Sequence, residues 1–305
     1  MTTIEGDFFG AGGNERFSNS TEFVLYHAYA VIGPTLVGHT NSTFMDRDTT
    51  FDTVDFAGPA GQDYSRQAQI RRSVDFGETT TLDVAIENPE GRTMTPAGGT
   101  DVNFVDKLPD FIGALRFKDS WGAVNLSGVL SRLTYDDGAG ASDARWGWML
   151  HAGGTVEATD EDKFSLVAQF GRGLGRYMYG GAPSMAVSCR AGPTFAAGCG
   201  ARLHPVETWG GYAGYSRRWS EEWRANLYYG LVRNRIPVGV LGAAGSQGRP
   251  RALDTLHVNL IWTPVERIDI GLEWMAGWRR DATAAPGANT DGTAQRVQAG
   301  AKVLF

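Results

Sequence analysis

The 305-residue sequence predicts an all-β fold, in the form of a transmembrane, up-and-down, antiparallel β-barrel. Three observations support this fold class. Apolar and polar residues alternate with a period of two in about fourteen segments, and no stretch shows a convincing helical period of 3.6 residues. The connections between these segments alternate between long and short. No apolar run approaches the roughly 20 residues of a transmembrane helix, which excludes a helical membrane protein.

The predicted strands follow one another along a single domain that spans residues 1–305. They lie near residues 2–9, 22–32, 36–44, 67–76, 80–88, 111–118, 123–134, 146–157, 163–171, 207–218, 222–233, 254–263, 267–278 and 296–305. In segment 80–88, for example, Leu82, Val84 and Ile86 share one face, because successive side chains of a strand point in opposite directions. In a membrane barrel such an apolar face contacts lipid, and the polar face lines the lumen.

Arg72 is the residue that fits this assignment worst. Strand phase places it on the lipid-facing side of segment 67–76. A charge on that side costs about 2–4 kcal/mol at mid-bilayer and less near the interface. We therefore expect an interfacial position, a subunit contact or a local shift of register.

The connections between strands differ in length in a regular order. Seven long connections span residues 10–21, 45–66, 89–110, 135–145, 172–206, 234–253 and 279–295. Six short turns span residues 33–35, 77–79, 119–122, 158–162, 219–221 and 264–266. An up-and-down barrel has long loops at one rim and short turns at the other, whereas the Greek-key crossings of a soluble sandwich would disturb this order. Because the last connection is long, we expect the C-terminus on the short-turn, periplasmic side.

The last strand and the tryptophans support the same orientation. Residues 296–305 alternate without a break and end at Phe305, which we expect at the periplasmic interface, facing lipid. Tryptophans flank both kinds of connection, as aromatic girdles at two membrane interfaces would. Those beside short turns are Trp121, Trp219, Trp223 and Trp262, and those near long loops are Trp146, Trp148 and Trp278.

Composition and charge narrow the possible functions. A net charge of -6 argues against a nucleic-acid-binding surface. The 28 basic residues include four lysines, which leaves 24 arginines. Either bidentate recognition of carboxylates and phosphates or a codon bias accounts for this excess. Cys189 and Cys199 have no cysteine or histidine cluster near them, so we expect one local disulfide and no metal site.

Two other classes of protein stand as alternatives. An outer-membrane hydrolase could carry a Ser/His pair on a barrel, although no Gly-x-Ser-x-Gly motif occurs and the five histidines show no metal-ligand spacing. A soluble β-sandwich binding module would have the same two-residue period, but it would give no reason for the alternating connections. We expect no catalytic residues and no cofactor.

Several segments resemble a known family. Residues 42–46 (STFMD), 53–61 (TVDFAGPAG), 66–71 (RQAQIR) and 85–90 (AIENPE) are similar to the DcaP-like outer-membrane porins. Shorter agreements at 109–110, 175–177, 259–260, 264–265 and 271–273 extend the resemblance over nearly the whole chain. The resemblance implies a trimeric porin of the cell outer membrane with about 16 strands and periplasmic termini. It also implies passage of small anionic solutes such as dicarboxylates.

The resemblance raises two expectations about differences from the family. Because the strand count is about two short, we expect the chain to lack a signal peptide, an N-terminal extension and about two strands, and to close imperfectly. At residues 39–41 (HTN) the family usually carries glutamine and tryptophan, so we expect the pore lining at that position to differ from the family's.

Strand phase and the arginine excess lead to a hypothesis about the pore. The residues expected to line it or to bind solute are Arg71, Arg116, Lys118, Arg224, Gln69, His39 and Arg66. We expect the long connection at 45–66 to fold into the barrel and to place its acids opposite the arginines. These acids are Asp46, Asp48, Asp52 and Asp55. Acids on one side and arginines on the other would create a transverse field that orients solutes.

Overall fold

Fourteen strands form one antiparallel sheet in the computed structural model of the chain, which describes residues 1–7, 23–96, 100–101, 107–136, 142–189, 200–284 and 287–304. Each strand pairs with the next of the fourteen along the chain, so the sheet is an up-and-down meander. The strands are β1 (Thr2–Asp7), β2 (Val24–Ile32), β3 (Thr35–Asn41), β4 (Arg66–Phe76), β5 (Thr80–Glu87), β8 (Asp110–Asp119), β9 (Gly122–Asp136), β10 (Ser142–Glu157), β11 (Asp162–Arg172), β14 (Glu207–Arg218), β15 (Trp223–Asn234), β16 (Pro250–Val265), β17 (Ile268–Asp281) and β18 (Asp291–Val303). The predictions of an all-β chain and of about fourteen strands are confirmed.

Three long connections contain structure that the sequence did not predict. Four short strands form a second sheet: β6 (Thr93–Met94), β7 (Thr100–Asp101), β12 (Met185–Cys189) and β13 (Ala201–Pro205). A helix, α1 (Val238–Ser246), packs beside them, and Met94, Ala186 and Leu241 are buried together between these elements. Two-residue strands are too short to show a period, and α1 is apolar without a polar face, so neither leaves an amphipathic pattern. The described parts of these three connections pack together as a cap at the long-loop rim.

One predicted long connection is short. β9 continues to Asp136 and β10 begins at Ser142, and these two residues pair with each other. The predicted bounds of the connection, 135–145, are therefore wrong, because Tyr135 and Asp136 belong to β9 and residues 142–145 belong to β10. Glycine, alanine and aspartate interrupt the alternation in this stretch, which hid the ends of both strands.

The two faces of the large sheet differ as strand phase predicts. On β5, Val84 is 47% exposed and Ile86 43%, whereas Asp83 is fully buried and Glu87 is 2% exposed. The same division continues around the sheet, with an outward belt of exposed apolar and aromatic side chains. Arg72 lies on that outward face beside the short turn at 33–34, where its guanidinium donates to Thr35 Oγ1 at 3.1 Å. Its location at the rim agrees with the first of the three expectations for it, an interfacial position.

Three further expectations concern the closure of the sheet, the position of Phe305 and the disulfide between Cys189 and Cys199. Among the described residues, β1 and β18 each pair with one strand only, so the sheet has two edges. Phe305 lies outside the described residues. Cys189 is disulfide-bonded, and Cys199, its expected partner, lies outside the described residues. In the described part of the chain, none of the helices has both the length and the apolar character needed to cross a membrane.

Candidate functional site

The connection between β3 and β4, residues 42–65, lies against the inner face of the sheet, and we call it the inner loop. Its first residues are held by three neighbouring strands. The Thr43 amide donates to Glu87 Oε1 on β5 at 2.7 Å. Arg116 on β8 donates to the carbonyl oxygens of Thr43 and Met45, at 3.0 and 2.9 Å. Ser127 on β9 donates to the carbonyl of Phe44, whose ring is fully buried.

The middle and the tip of the inner loop are held by the opposite part of the sheet. Tyr212 on β14 donates to the carbonyl oxygen of Thr49 at 3.0 Å. Tyr228 on β15 accepts from the amide of Asp52 at 3.0 Å. Farther on, the loop reaches β17 and β18, and then returns past β16 and β11 to β4. The returning contacts are Ala60 N to Thr255 Oγ1 at 2.9 Å and Gln169 Nε2 to Gly61 O at 2.9 Å.

The contacts of the inner loop show that the large sheet is curved. The inner loop meets side chains from eleven consecutive strands of the meander, from β4 to β18. They are Gln69, Glu87, Arg116, Ser127, His151, Gln169, Tyr212, Tyr228, Asn259, Glu273 and Arg296. One segment can reach eleven strands in a row only if the sheet curls around it. The inner loop therefore lies inside a curved wall and occupies part of its interior.

The acids of the inner loop do not stand opposite the arginines across open space. Asp48 pairs with Lys118 at 2.8 Å, Asp52 with Arg224 at 2.7 Å, and Asp55 with Arg296 at 2.7 Å. The hypothesis of an acidic loop facing arginines across the pore is therefore corrected. The loop lies flat on the wall, so its carboxylates reach the cations directly and neutralise them. Asp46 has a different role, because its Oδ1 accepts from the amides of Asp48 and Thr49.

Positive charge remains on one arc of the wall, where Arg47, Arg71 and Arg116 form what we call the guanidinium cluster. Asp83, fully buried, accepts from Arg47 at 2.9 Å and from Arg116 at 3.0 Å. Arg71 lies within electrostatic range of Arg47, and its Nε has no hydrogen-bond partner among the described residues. Asp83 and Glu87 are the acids within electrostatic range of Arg71, and Asp46 also lies within range of Arg116. Arg47 is 41% exposed at its side chain, whereas Arg71 and Arg116 are buried, so Arg47 is the member of the cluster that faces free space.

The other arc of the wall is more acidic. Arg224 donates to Asp52 at 2.7 Å and to Asp269 at 2.8 Å, so two carboxylates share one cation. Glu273 on the next strand adds a further carboxylate. The polarity across the interior thus runs between two regions, each of which contains residues of both the wall and the inner loop.

The remaining predicted pore residues lie in three different environments. Gln69 faces inward and is buried against the loop, where Thr43 donates to its side chain at 3.0 Å. Arg66, the first residue of β4, stacks over the ring of Tyr26 at 3.7 Å and lines a cavity of about 370 Å³ beside the inner loop. His39 pairs with Ala68 and shares the outward face of β3 with Val37. For His39, strand phase therefore contradicts the expected position along the pore.

Sequence reasoning missed Arg176 and Tyr177, which belong to the long connection between β11 and β12. Arg176 donates to Gln67 Oε1 at 2.7 Å and forms an ion pair with the buried Asp110. Tyr177 donates to Asp110 at 2.7 Å and is fully buried. These residues fall in segment 175–177, which carries part of the family resemblance, and that was the one signal that could have indicated them.

The tip of the inner loop rests on an anchor that was also missed. Both carboxylate oxygens of the fully buried Glu273 accept loop amides, from Val54 at 2.9 Å and Asp55 at 3.1 Å. Asn259 donates to the same carboxylate at 3.1 Å, and His257 lies 3.4 Å from it. Strand phase indicates that Glu273 faces inward, but it gives no information about the loop above it.

Three ionisable residues, Asp46, Asp63 and His151, lie where the two ends of the inner loop meet β10, and we call this part of the loop its root. Asp63 accepts from the amide of Asp46 at 2.5 Å, and His151 Nε2 lies 3.8 Å from Asp63 Oδ1. Burial, and then the neighbouring Asp46 carboxylate, raise the pKa of Asp63 from 3.8 to about 7. Within the described part of the chain, no group of three or more His, Cys, Asp or Glu side chains is arranged to hold a metal ion.

Comparisons with known proteins agree with this architecture. A profile of the family described as DcaP outer membrane protein matches residues 1–288. The structure of the outer membrane channel DcaP of Acinetobacter baumannii superposes with a TM-score of 0.78 at 21% identity, over 100% of this chain and 80% of that chain. A search of curated proteins found no match.

Two further solved structures share the fold at lower similarity. An anion-selective porin from Comamonas acidovorans gives a TM-score of 0.56 at 12% identity, over 99% of this chain and 82% of its own. OmpT, an outer membrane protein of Vibrio cholerae, gives 0.54 at 8% identity, over 92% of this chain and 80% of its own. At these identities, the likeness establishes a shared fold.

Proposed function

Because the chain belongs to the DcaP outer membrane protein family and is an outer-membrane porin, we propose that it forms a water-filled channel for small hydrophilic anions, dicarboxylates in particular. The observation that carries this proposal is the guanidinium cluster. Arg47 and Arg116 share Asp83, and Arg71 lies within electrostatic range of Asp83 and Glu87, so the three cations outnumber these two acids. Guanidinium groups bind carboxylates in a forked, charge-assisted geometry.

The geometry supports a solute with two anionic ends. Arg47 belongs to the inner loop and Arg71 to the wall, so a dicarboxylate bound at the exposed Arg47 would also lie in the field of the buried Arg71. The inner loop narrows the interior beside them and would bring a passing solute close to both. Because such an interaction is weak and is spread over two cations, the solute can also be released, which conduction requires.

The proposal is tested by the reversal potential of the channel in a planar bilayer under a potassium chloride gradient. We expect a preference for chloride over potassium, and we expect succinate to reduce the ion current more than acetate or a neutral sugar does. Arg47→Gln and Arg71→Gln should each lower the anion preference. Arg172→Gln is the matched control, because Arg172 is exposed on the outward face of β11. A clear preference for potassium would refute the proposal.

We also propose that the channel is a homotrimer, which rests on the family resemblance. The mass of the detergent-solubilised protein, measured by light scattering with the detergent contribution subtracted, should equal three chains. A mass of one chain would contradict this assembly.

A further inference from the structure

We propose that Asp46, Asp63 and His151, which we call the root cluster, form a proton-operated clamp that holds the inner loop against the wall when protonated and releases it when deprotonated. The clamp rests on the proposed channel function only where it predicts a change in conductance. Its structural basis is the packing of the three side chains of the root cluster.

The root cluster ties two ends of the inner loop to each other. Asp46 and Asp63 belong to the first and last parts of the loop, and the amide of Asp46 donates to Asp63 Oδ2 at 2.5 Å. Asp46 Oδ1 in turn accepts from the amides of Asp48 and Thr49, at 2.9 and 3.0 Å, and orders the following turn. The conformation of the root therefore depends on these two carboxyl groups.

The cluster is buried with fewer hydrogen bonds than its polar atoms can make. Asp46 is 7% exposed, Asp63 6% and His151 3%. Asp46 Oδ2 and both ring nitrogens of His151 have no hydrogen-bond partner among the described residues. The space around them is tight, because a Cβ on Gly153 would lie 2.6 Å from Asp46 Oδ2 and 2.7 Å from His151 Cε1. Because Asp63 is buried next to the negative charge of Asp46, an ionised Asp63 carries a large electrostatic cost and its neutral form is favoured.

The neighbouring charges do not remove this preference. Arg116 on β8 lies within electrostatic range, but its guanidinium already donates to Asp83 and to two loop carbonyls. Arg47 in the loop is paired with Asp83 on β5 as well. Tyr212 on β14 packs from the other side, and its hydroxyl donates to the carbonyl of Thr49. The cluster therefore has no cation of its own, because His151 is buried and its ring stays neutral near pH 7.

The direction of the pH effect follows from the burial of Asp63. Its pKa in the folded loop, about 7, lies above its ordinary value of 3.8, so the fold favours the neutral acid. The stabilising contribution of this neutral form is complete below the ordinary pKa, declines as pH rises above it, and is lost as pH passes through about 7. Above that pH, the fold must hold an ionised Asp63 in its buried site, and the root of the loop loosens.

Hydrogen exchange of the protein in detergent tests the clamp without requiring conduction. We expect the amides of Asp46, Asp48 and Thr49 to lose about tenfold or more of their protection between pH 6 and 8, after correction for intrinsic exchange, since one unit of pKa corresponds to a factor of ten. Asp63→Asn should keep these amides protected at both pH values, because the amide side chain cannot ionise. Asp160→Asn, in an exposed turn at the short-turn rim, is the control and should behave as the wild type.

Single-channel conductance provides the second measurement. The wild-type conductance in symmetrical salt should rise, and its open-channel noise increase, with a midpoint near pH 7, and Asp63→Asn should remain in the low-pH state throughout. The wild-type titration needs no variant, so it decides the question even if Asp63→Asn does not fold. Loop protection and conductance that are both independent of pH would overturn the clamp. A protein that never conducts but shows the exchange transition would instead overturn the channel function.

Discussion

Buried acids of the wall show how single residues hold the inner loop. Asp83 is satisfied by Arg47 and Arg116, and Glu273 by the loop amides of Val54 and Asp55. Both acids are fully buried, where an uncompensated charge would be costly. Strand phase predicted that such residues face inward, because a period of two assigns each residue to a face. It could not predict their partners, since those come from a loop without any period.

Replacement of Glu273 by glutamine tests the anchor at the loop tip. A glutamine has one acceptor oxygen, and its amide group would face the amide donors of Val54 and Asp55. We expect a loss of about 1–3 kcal/mol in the free energy of unfolding, the usual range for a buried polar group left unsatisfied. Urea unfolding in detergent measures this difference.

Loosening of the tip should also appear locally in this variant. Hydrogen exchange of the Val54 and Asp55 amides should become faster, while the amides at the loop root keep their protection. Glu222→Gln is the control, because Glu222 is exposed in a turn at the short-turn rim. Equal stability of Glu273→Gln and the wild type would show that the carboxylate does not hold the loop.

At the scale of the element, the inner loop depends on glycines in the wall. Val54 packs on Gly271 and Gly300, where an added Cβ would lie 2.5 and 3.0 Å from its methyl groups. A Cβ on Gly230 would overlap the carbonyl oxygen of Ala60. Within the loop, Gly58 and Gly61 have φ angles of 66° and 84°, in the left-handed region that glycine adopts readily. Together these glycines allow the chain to lie flat against the sheet.

Gly230→Ala should displace the inner loop from its position against the wall. The added methyl group meets backbone rather than a flexible side chain, so the loop must move, at a cost of about 1–3 kcal/mol for overpacking. We expect a lower unfolding free energy and a changed single-channel conductance. Gly113→Ala is the matched control, because this strand glycine on β8 has no atom within 4 Å of the added Cβ. Identical conductance of Gly230→Ala and Gly113→Ala would show that the position of the inner loop does not depend on Gly230.

Elements differ in how well the sequence predicts them. All fourteen wall strands were predictable, because each has one face toward the interior and one away from it, which imposes the period of two. The strands β6 and β7 and the helix α1 were not, since they are short and are held by contacts within the cap. The ion pairs of Asp48, Asp52 and Asp55 required knowledge of how the loop lies, which no local pattern contains.

At the scale of the whole molecule, the outward belt distinguishes a membrane wall from a soluble sheet. Trp223 and Trp262 stack on the outer face near the short turns, with ring centroids 5.8 Å apart. Toward the other rim, Arg233 and Asp254 pair on the outward face at 2.9 Å, beside Trp209. Between these two levels, the outward residues of β15 and β16 are apolar apart from the hydroxyl of Tyr229, which bonds to Asp254. Charges thus occur at the rims, and the middle of the belt suits lipid.

This distribution leads to a prediction about depth in the membrane. Leu227 is 45% exposed in the middle of β15, and Val265 is 57% exposed at the end of β16, beside a short turn. In water, an arginine at either exposed position would have little effect on stability. In lipid, Leu227→Arg should lower the free energy of unfolding by about 2–4 kcal/mol, whereas Val265→Arg should lower it by about 0–1 kcal/mol, because the cost of a charge falls toward the interface. Urea unfolding in phospholipid vesicles measures both values. If the two substitutions had the same small effect, the outward belt would not be the surface that contacts the bilayer core.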